Sequence, residues 1–245
     1  MPTRLFFTAV ALFCFASLVA CAAVAEDSAA RPAAASDRAA VPLFKEKGAP
    51  KGWTVRAWDD VSKPGPEGAK WTVDEQGVLH GSEPRGTWLV SEKEYGNFVL
   101  EFDWKLGERG NSGCGIRFPA KGDPAFDGLE IQMADERYNE GRDGPDKLTA
   151  SLYKAVAPTK QLYKPAEWNH YVITAKGPRI KVELNGQVVQ DVNLDDHQQP
   201  IERHDGSGAG ALKDRPRRGH IGFQELSRGG AHVLIKNATI TEMKQ

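Results

Sequence analysis

The strongest constraint on the fold is a succession of short strand-like segments, separated by turn residues, that runs from residue 43 to the end. Within these segments apolar and polar residues alternate, which is the period of a strand with one buried face. The 25 glycines and 15 prolines of the sequence supply the turns. Since no segment keeps a helical period over three turns, the pattern predicts one all-β domain, an antiparallel two-layer sandwich or jelly roll.

The predicted strands and their connections follow from this alternation. The clearest hairpin surrounds Asn185-Gly186, a dipeptide typical of a type I′ turn. Three stretches, 137–147, 157–167 and 195–219, are irregular, and the last is long enough to be a functional lid or a disordered loop. Its Gly-Ser-Gly-Ala-Gly centre indicates mobility. Strands are predicted at 53–58, 70–73, 77–81, 86–91, 97–106, 113–118, 128–134, 149–153, 168–176, 179–185, 187–192, 219–224 and 231–242.

The first 42 residues differ in composition from the rest. Residues 1–21 contain one Arg followed by a short apolar run, which predicts a signal peptide. Two cleavage sites compete: the lipobox-like LVAC, which would leave Cys21 as a lipidated first residue, and AVA, with cleavage after Ala25. We favour the lipobox, because chance hardly explains a Cys directly after Leu-Val-Ala. Both sites predict export, to the periplasm or as a cell-envelope lipoprotein, and the Ala-rich residues 22–42 are predicted to form a disordered tether.

Charge and cysteine content narrow the partners of the mature chain, which consists of the predicted tether and the predicted domain, residues 43–245. Loss of Arg4 with the signal peptide leaves 31 basic against 33 acidic residues, a net charge of −2. Such a balance argues against a nucleic-acid partner, and it leaves a lipid anchor as the means of membrane attachment. Cys114 is the one cysteine outside the export segment. The domain must therefore be held together by its core and not by an intramolecular disulfide.

The segment GLEIQMAD points to a candidate site. Its apolar residues Leu129, Ile131 and Met133 alternate with Glu130 and Gln132, so a carboxylate and an amide share the opposite face of one strand. The same parity puts Glu101, Asp103 and Arg117 opposite the apolar residues of their own strands. If these strands are neighbours, all five polar side chains share one surface. The alternative is a solvated outer sheet with cross-strand charge pairs.

Other residues near these strands could complete a binding site. In RGNSGCGIR, Asn111 and Ser112 lie among glycines, where the backbone can approach a ligand closely. A turn without a ligand would have the same composition. Asp135 begins the polar loop that follows the Glu130 strand. His170 is suited to proton transfer near neutral pH, and Tyr153 to hydrogen bonding with a sugar hydroxyl, although both residue types also occur in purely structural roles.

From Leu43 to Glu242 the chain resembles the 3-keto-disaccharide hydrolase domain family, formerly a bacterial domain of unknown function. The motifs that carry the resemblance cover nearly the whole mature domain. They are WTVDEQGVLHG, GTWLVSEKEYGNFVLEFDWKL, GNSGCGIRF, GLEIQMAD, ASLY, EWNHYVITAKGPRIKVELNG and RGHIGFQ. The resemblance implies a concanavalin A-like jelly roll with a ligand cleft on its concave sheet. It also implies a saccharide ligand oxidised to a ketone at carbon 3.

A 3-keto group acidifies the hydrogen on carbon 2, so a base can start an elimination that releases the group on carbon 1. We expect Glu130 to be the base, and His170 or Tyr153 to protonate the leaving group. The expected substrate-binding residues are Asn111, Ser112, Arg117, Gln132 and Asp135. No cofactor is predicted, and the sequence contains no recognisable metal-binding motif. A divalent ion bound by carboxylates that are distant in sequence is an alternative.

Leu226 and Ser227 mark a departure from the resembled family, whose members commonly carry a His and a Gly after the acidic residue of this strand. The late stretch Leu234–Asn237 also has Lys in place of Arg. Both departures favour a second hypothesis, a non-catalytic carbohydrate-binding module. A laminarinase-type glucanase ranks third, because Gln132 cannot supply the second ionised carboxylate that a retaining mechanism needs. A purely structural surface domain is the remaining alternative.

Overall fold

The computed structural model describes Met1 and residues 39–244. The predicted signal peptide, the lipidation site Cys21 and the tether up to residue 38 lie outside the described residues. At its last residues the predicted tether differs from the structure, because Val41–Pro42 forms a strand that pairs with Thr239 and Ile240 near the other end of the chain. The domain thus begins slightly before residue 43.

Short strands account for most of the regular structure in the described residues. Residues 149–153, predicted as a strand, make only isolated bridges from Leu152 to Ile131 and Val156. One short helix, α1, spans Pro124–Asp127, and 3₁₀ turns span Pro145–Lys147, Leu194–Asp196 and Leu212–Asp214. The strands are β1 Val41–Pro42, β2 Trp53–Ala57, β3 Thr72–Val73, β4 Leu79–His80, β5 Thr87–Ser91, β6 Phe98–Lys105, β7 Asn111–Phe118, β8 Leu129–Ala134, β9 Asn169–Lys176, β10 Arg179–Leu184, β11 Gln187–Asn193, β12 Ile201–Glu202, β13 Gly208–Ala209, β14 His220–Glu225 and β15 Leu234–Glu242.

The strands form two main sheets, so the predicted antiparallel jelly-roll sandwich of concanavalin A type is confirmed. One sheet has eight strands in the order β11-β10-β9-β6-β15-β4-β3, with β1 also on β15. The other has five strands in the order β2-β5-β14-β7-β8. A separate two-stranded hairpin, β12–β13, occupies the long connection that was expected to be a lid or disordered.

The core lies between the two sheets and follows the alternation in the sequence. On β6, Phe98, Leu100, Phe102 and Trp104 are fully buried, while the residues between them are only half-buried. The ring of Phe102 meets that of Phe223 from the five-stranded sheet at 5.2 Å between centroids, in a T-shaped contact. Each such side chain contributes about 1.5–3 kcal/mol by leaving water. This shared core fixes which face of each sheet points outwards.

The hairpin between β10 and β11 has the predicted turn. Asn185 and Gly186 both adopt positive φ, at 52° and 80°, as a type I′ turn requires. The Asn185 amide also donates a hydrogen bond to the carbonyl of Leu162, so the turn is tied to the preceding loop.

Candidate functional site

A cleft of about 560 Å³ lies over the outer face of the five-stranded sheet. Strands β7 and β8 supply its floor through Asn111, Gln132 and Ala134. Asn111 pairs with Ala134 in the antiparallel register, and Gly113 pairs with Gln132, so these side chains share one face. The face is the polar side of GLEIQMAD that the sequence singled out.

Glycines make room for a carboxylate on this face. A β-carbon on Gly113 would lie 1.8 Å from Oε1 of Glu130, so the Glu130 side chain lies across the strand where Gly113 has none. Gly115, the cross-strand partner of Glu130, leaves comparable space that is filled by the rings of Phe118 and Trp88. Glycine is needed at position 113 because any larger residue would collide with the carboxyl group of Glu130.

Glu130 is a buried acid with an unused oxygen. Only 3% of the residue is exposed, and within the described residues Oε1 has no hydrogen-bond partner. Burial, and to a lesser degree the nearby charge of Asp123, raise the pKa of Glu130 well above that of an ordinary carboxyl. A carboxyl group of this kind is a stronger base, once ionised, than one in water.

Asp123, which no sequence pattern singled out, interacts electrostatically with Glu130. Its Oδ1 accepts a hydrogen bond from the backbone N–H of Ala125 at 3.0 Å and so caps α1. Burial and the neighbouring Asp127 raise the pKa of Asp123 to about 7, against the opposing hydrogen bond from Ala125. Two acids with raised pKa values therefore act on each other, and the charges of both act on Tyr153 in the cleft lining.

A second buried acceptor without a partner belongs to Asn111, whose Oδ1 is enclosed and unbonded among the described residues. Gln132 differs, since its Oε1 accepts from the backbone N–H of Met133 at 3.0 Å. Buried polar atoms are nearly always hydrogen-bonded in folded proteins, so those left unsatisfied call for an explanation, which a bound ligand with donor groups would provide.

One wall of the cleft combines Tyr153 with the β12–β13 hairpin. His204, from the turn of that hairpin, has its ring 5.8 Å from the ring of Tyr153 and 6.3 Å from that of Trp58. Burial, followed by the charges of Lys154 and Lys147, lowers the pKa of His204, which favours the neutral imidazole. Burial and the charge of Glu130 raise the pKa of Tyr153, which keeps its hydroxyl protonated.

His204 was missed in the sequence because it lies in an irregular stretch without periodicity. Tertiary contacts alone bring it to the cleft. The available signal was indirect: a long loop that contains an imidazole and is too long for a simple connector.

The loop that follows β8 forms another wall, as its polar composition predicted. Tyr138, Asn139 and Asp143 line the cleft. The Tyr138 hydroxyl accepts a hydrogen bond from the Arg85 guanidinium at 2.9 Å, and the Arg228 guanidinium lies 4.4 Å from the centre of the Tyr138 ring.

Three of the sequence-selected residues line the cleft, namely Gln132, Asn111 and Tyr153. Glu130 lies next to them on the same face, across Gly113, but is buried and is not part of the lining. The structure places the others elsewhere. His170 lies on the outer face of the eight-stranded sheet, with Nδ1 2.7 Å from Asp103 and Nε2 3.4 Å from Glu101. The predicted surface shared by Glu101, Asp103 and Glu130 is therefore wrong, because β6 and β8 belong to different sheets.

The alternation of polar and apolar residues predicted that Arg117 faces that surface. A β-bulge at Arg117 breaks this alternation. The φ of Arg117 is 54°, and the register of β14 on β7 skips this residue. Ile116 and Phe118 consequently pack into different clusters. The fully buried Arg117 side chain donates to the carbonyls of Gly96 and Gly177, at 2.9 and 2.7 Å, away from the cleft.

Ser112 and Asp135 also lie outside the cleft lining. Ser112 alternates with the core residue Cys114, points between the sheets and donates to the carbonyl of Gln224 at 2.6 Å. Asp135 is buried and binds the guanidinium of Arg137 through both carboxylate oxygens, at 2.8 and 2.9 Å. It fixes the start of the loop that walls the cleft.

Over residues 39–244, no group of three or more His, Cys, Asp and Glu side chains is arranged to hold a metal ion. No helix in this part of the chain is long and apolar enough to span a membrane. Cys114 is free and buried.

The match to a known domain decides the family. Residues 39–241 match the 3-keto-alpha-glucoside-1,2-lyase-like domain. The chain belongs to this family. The resemblance stated from the motifs is thereby confirmed, and the protein has a carbohydrate-active or carbohydrate-binding role. No curated protein sequence matches the chain significantly.

Two solved structures from Parabacteroides distasonis, each of a proposed glycosyl hydrolase, share the fold. The first is 24% identical, with a TM-score of 0.67, and the match covers 84% of this chain and 100% of that one. The second is 25% identical, with a TM-score of 0.59, and the match covers 80% and 91%.

Leu226 is the residue at which this chain departs from the family pattern described above. It lines the cleft, where an apolar side chain replaces the His expected from the resembled pattern. His232 does not take that place, since its Nδ1 lies 3.4 Å from Oε2 of the buried Glu225.

Proposed function

We propose that this protein is an exported hydrolase or lyase that cleaves 3-keto-glycosides. A base removes the proton from carbon 2, and the electron pair of that C–H bond moves into the enolate of the 3-keto group. The enolate then expels the aglycone oxygen from carbon 1, which takes up a proton as it leaves. Addition of water to the resulting enone completes a net hydrolysis, and release of the enone would make the enzyme a lyase.

The observation that carries this proposal is the pair of buried, unpartnered oxygens on one face of β7 and β8. Oδ1 of Asn111 and Oε1 of Glu130 both lack partners among the described residues. A sugar presents several hydroxyl donors, and a donor that reaches these atoms relieves the cost of burying them unbonded. Trp58 at the rim offers an apolar ring face for stacking against a pyranose.

Glu130 is the proposed base. Its raised pKa brings its strength closer to that of an effective base near neutral pH, and its position over Gly113 holds the carboxyl on the cleft side of the sheet.

Tyr153 is the proposed acid for the leaving group, because its hydroxyl stays protonated and lines the cleft. His204 lies beside Tyr153 in the cleft lining and replaces His170 as the alternative acid. Lys154 and Lys147 supply positive charge for the developing enolate.

Product analysis with a 3-keto-glucoside and its unoxidised parent tests the proposal. We expect the wild-type protein to cleave the keto compound alone, with roughly 100-fold or greater loss in Glu130→Gln and in Tyr153→Phe. Asp103→Asn, on the other sheet, is the control and should retain turnover. Full activity in Glu130→Gln would eliminate this residue as the base.

The second candidate function is saccharide binding without turnover, which the apolar Leu226 in the cleft favours. Saccharide binding by a wild-type protein that leaves the keto compound intact would support this function. Leu226→His, tested in the same assay, measures whether the missing imidazole limits catalysis.

Export is proposed from the sequence, with Cys21 as the lipidated residue. Expression with a labelled fatty acid distinguishes the two cleavage sites. Label on the wild-type protein that is absent from Cys21→Ser supports the lipoprotein, whereas an unlabelled mature chain that begins at Glu26 supports cleavage after Ala25.

A further inference from the structure

The cleft carries more positive charge than a neutral 3-keto-glycoside would require. Among the described residues, Asp143 is the one carboxylate that lines it, and both oxygens of Asp143 accept from the amide of Asn139 at 2.9 Å. The basic side chains that line the cleft are Arg85, Lys147, Lys154 and Arg228.

None of these four cations has a carboxylate oxygen within 4.0 Å in the described part of the chain. Ion pairs occur elsewhere on the domain, as between Arg137 and Asp135 at 2.8 Å and between Arg179 and Asp191 at 2.6 Å. The cleft differs in that, among the described residues, four cations without an ion-pair partner line one cavity together with a single carboxylate.

The two arginines are held together by Tyr138. The Arg85 guanidinium donates to the Tyr138 hydroxyl at 2.9 Å. The Arg228 guanidinium stacks over the ring at 4.4 Å and donates to the Tyr138 carbonyl at 3.4 Å. Each guanidinium has five N–H donors, so both keep donors for a ligand. A planar, positioned guanidinium matches the two oxygens of a carboxylate.

The two lysines lie in a different part of the cleft, near His204. Both of their charges act on that ring, and Nζ of Lys154 also donates to the carbonyl of Arg203 at 3.4 Å. Burial raises the pKa of Glu130, which reduces the negative charge that this acid can set against the lysines.

We propose that the cleft selects an acidic saccharide, a glycoside that carries a carboxylate as a uronic acid does, with Arg85 and Arg228 binding that carboxylate. The proposal rests on the proposed function in taking the cleft as a saccharide site, and it assigns the substrate class. Lys147 and Lys154 remain free to act on the reacting part of the sugar.

Calorimetric titration with two matched ligands tests this assignment. The ligands are the methyl glycosides of glucuronic acid and of glucose, which differ only in the carboxylate. The wild-type protein should bind the glucuronide at least about tenfold more tightly at low salt, and salt should weaken this binding but not that of the glucoside. In Arg85→Gln/Arg228→Gln the preference should fall to near unity.

The control is Arg179→Gln/Arg218→Gln, which removes the same net charge from exposed ion pairs outside the cleft. It should keep the preference. Thermal unfolding of all variants checks that each is folded.

Equal affinity for the two glycosides, binding of neither, or an unchanged preference in the Arg85/Arg228 variant would overturn the proposal. A sulfated methyl glucoside provides a further arm, and its tight binding in place of the glucuronide would overturn the choice of a carboxylate. The titration needs no turnover. A failure to cleave any 3-keto-glycoside therefore counts against the proposed function, whereas a lack of acid preference counts against this inference alone.

Discussion

The carboxyl group of Glu130 occupies the space that a side chain at position 113 would need. A β-carbon on Gly113 would lie 1.8 Å from Oε1 and 2.6 Å from the carboxyl carbon of Glu130. The strands β7 and β8 are neighbours, so the acid lies across its partner strand and stays largely out of water. The glycine thus determines both where the acid lies and how strongly it is desolvated.

Gly113→Ala should therefore displace Glu130. We expect a loss of roughly 1–3 kcal/mol in the free energy of unfolding, because the surrounding core leaves little room for the added methyl group. Turnover should fall as the carboxyl group moves. Urea denaturation and the keto-glucoside assay measure the two effects. Gly208→Ala is the matched control, since a β-carbon there meets nothing within 4 Å, and equal behaviour of the two variants would contradict the steric explanation.

Glu130→Gln should separate stability from activity. The pKa of Glu130 is raised on folding, so the folded state holds this proton more tightly than the unfolded state, and stability falls as pH rises above about 4.5. Glutamine cannot ionise. The variant should be more stable than the wild type at about pH 8, with a smaller difference near pH 5. Urea denaturation at both pH values measures the difference in free energy of unfolding between the variant and the wild type. A difference that shrinks with rising pH would show that the acid is not desolvated.

Asp123→Asn should likewise change how stability depends on pH. The pKa of Asp123 rises from 3.8 to about 7 on folding, so ionisation costs stability as pH increases through this interval. Asparagine keeps the side-chain oxygen that caps α1 and removes the charge. The variant should lose the corresponding pH dependence, on the order of 3 kcal/mol between about pH 4 and pH 7. Asp123→Ala should lose the cap as well, at a cost of about 1 kcal/mol, and an unchanged stability profile in Asp123→Asn would exclude this ionisation.

Arg117→Met should reduce stability and leave the chemistry intact. The substitution removes donors to the carbonyls of Gly96 and Gly177 in a fully buried place. Leaving these acceptors unbonded should cost roughly 3 kcal/mol. Arg179→Met, which breaks an exposed pair, should have a small effect. Turnover per folded molecule in Arg117→Met should match the wild type, and a specific loss of turnover would restore Arg117 to the substrate site.

Of the two variants His170→Gln and His204→Gln, only the second should lower turnover. His170 pairs with Asp103 on the eight-stranded sheet, whereas His204 contacts Tyr153 at the cleft. Kinetics of the two variants should show loss in His204→Gln alone. The reverse result would mean that the outer face of the eight-stranded sheet takes part in catalysis.

Local periodicity was sufficient to predict the strands, their buried faces and one turn. Leu129, Ile131 and Met133 face the core as their alternation required, and Glu130 faces away. Strand period and side-chain polarity are properties of a few consecutive residues, so they can be read without knowledge of the fold. The motifs also sufficed to predict the family and the jelly roll.

Tertiary structure decided which strands are neighbours and which loops reach the cleft. Glu101 and Glu130 have the same local parity, yet they lie on different sheets, because sheet membership depends on contacts between distant segments. A single bulged residue, Arg117, reversed the faces on either side of it. His204 and the unpaired Arg85 and Arg228 met at the cleft only through folding, since a charge or an imidazole in a loop carries no local signal of the surface that it will face.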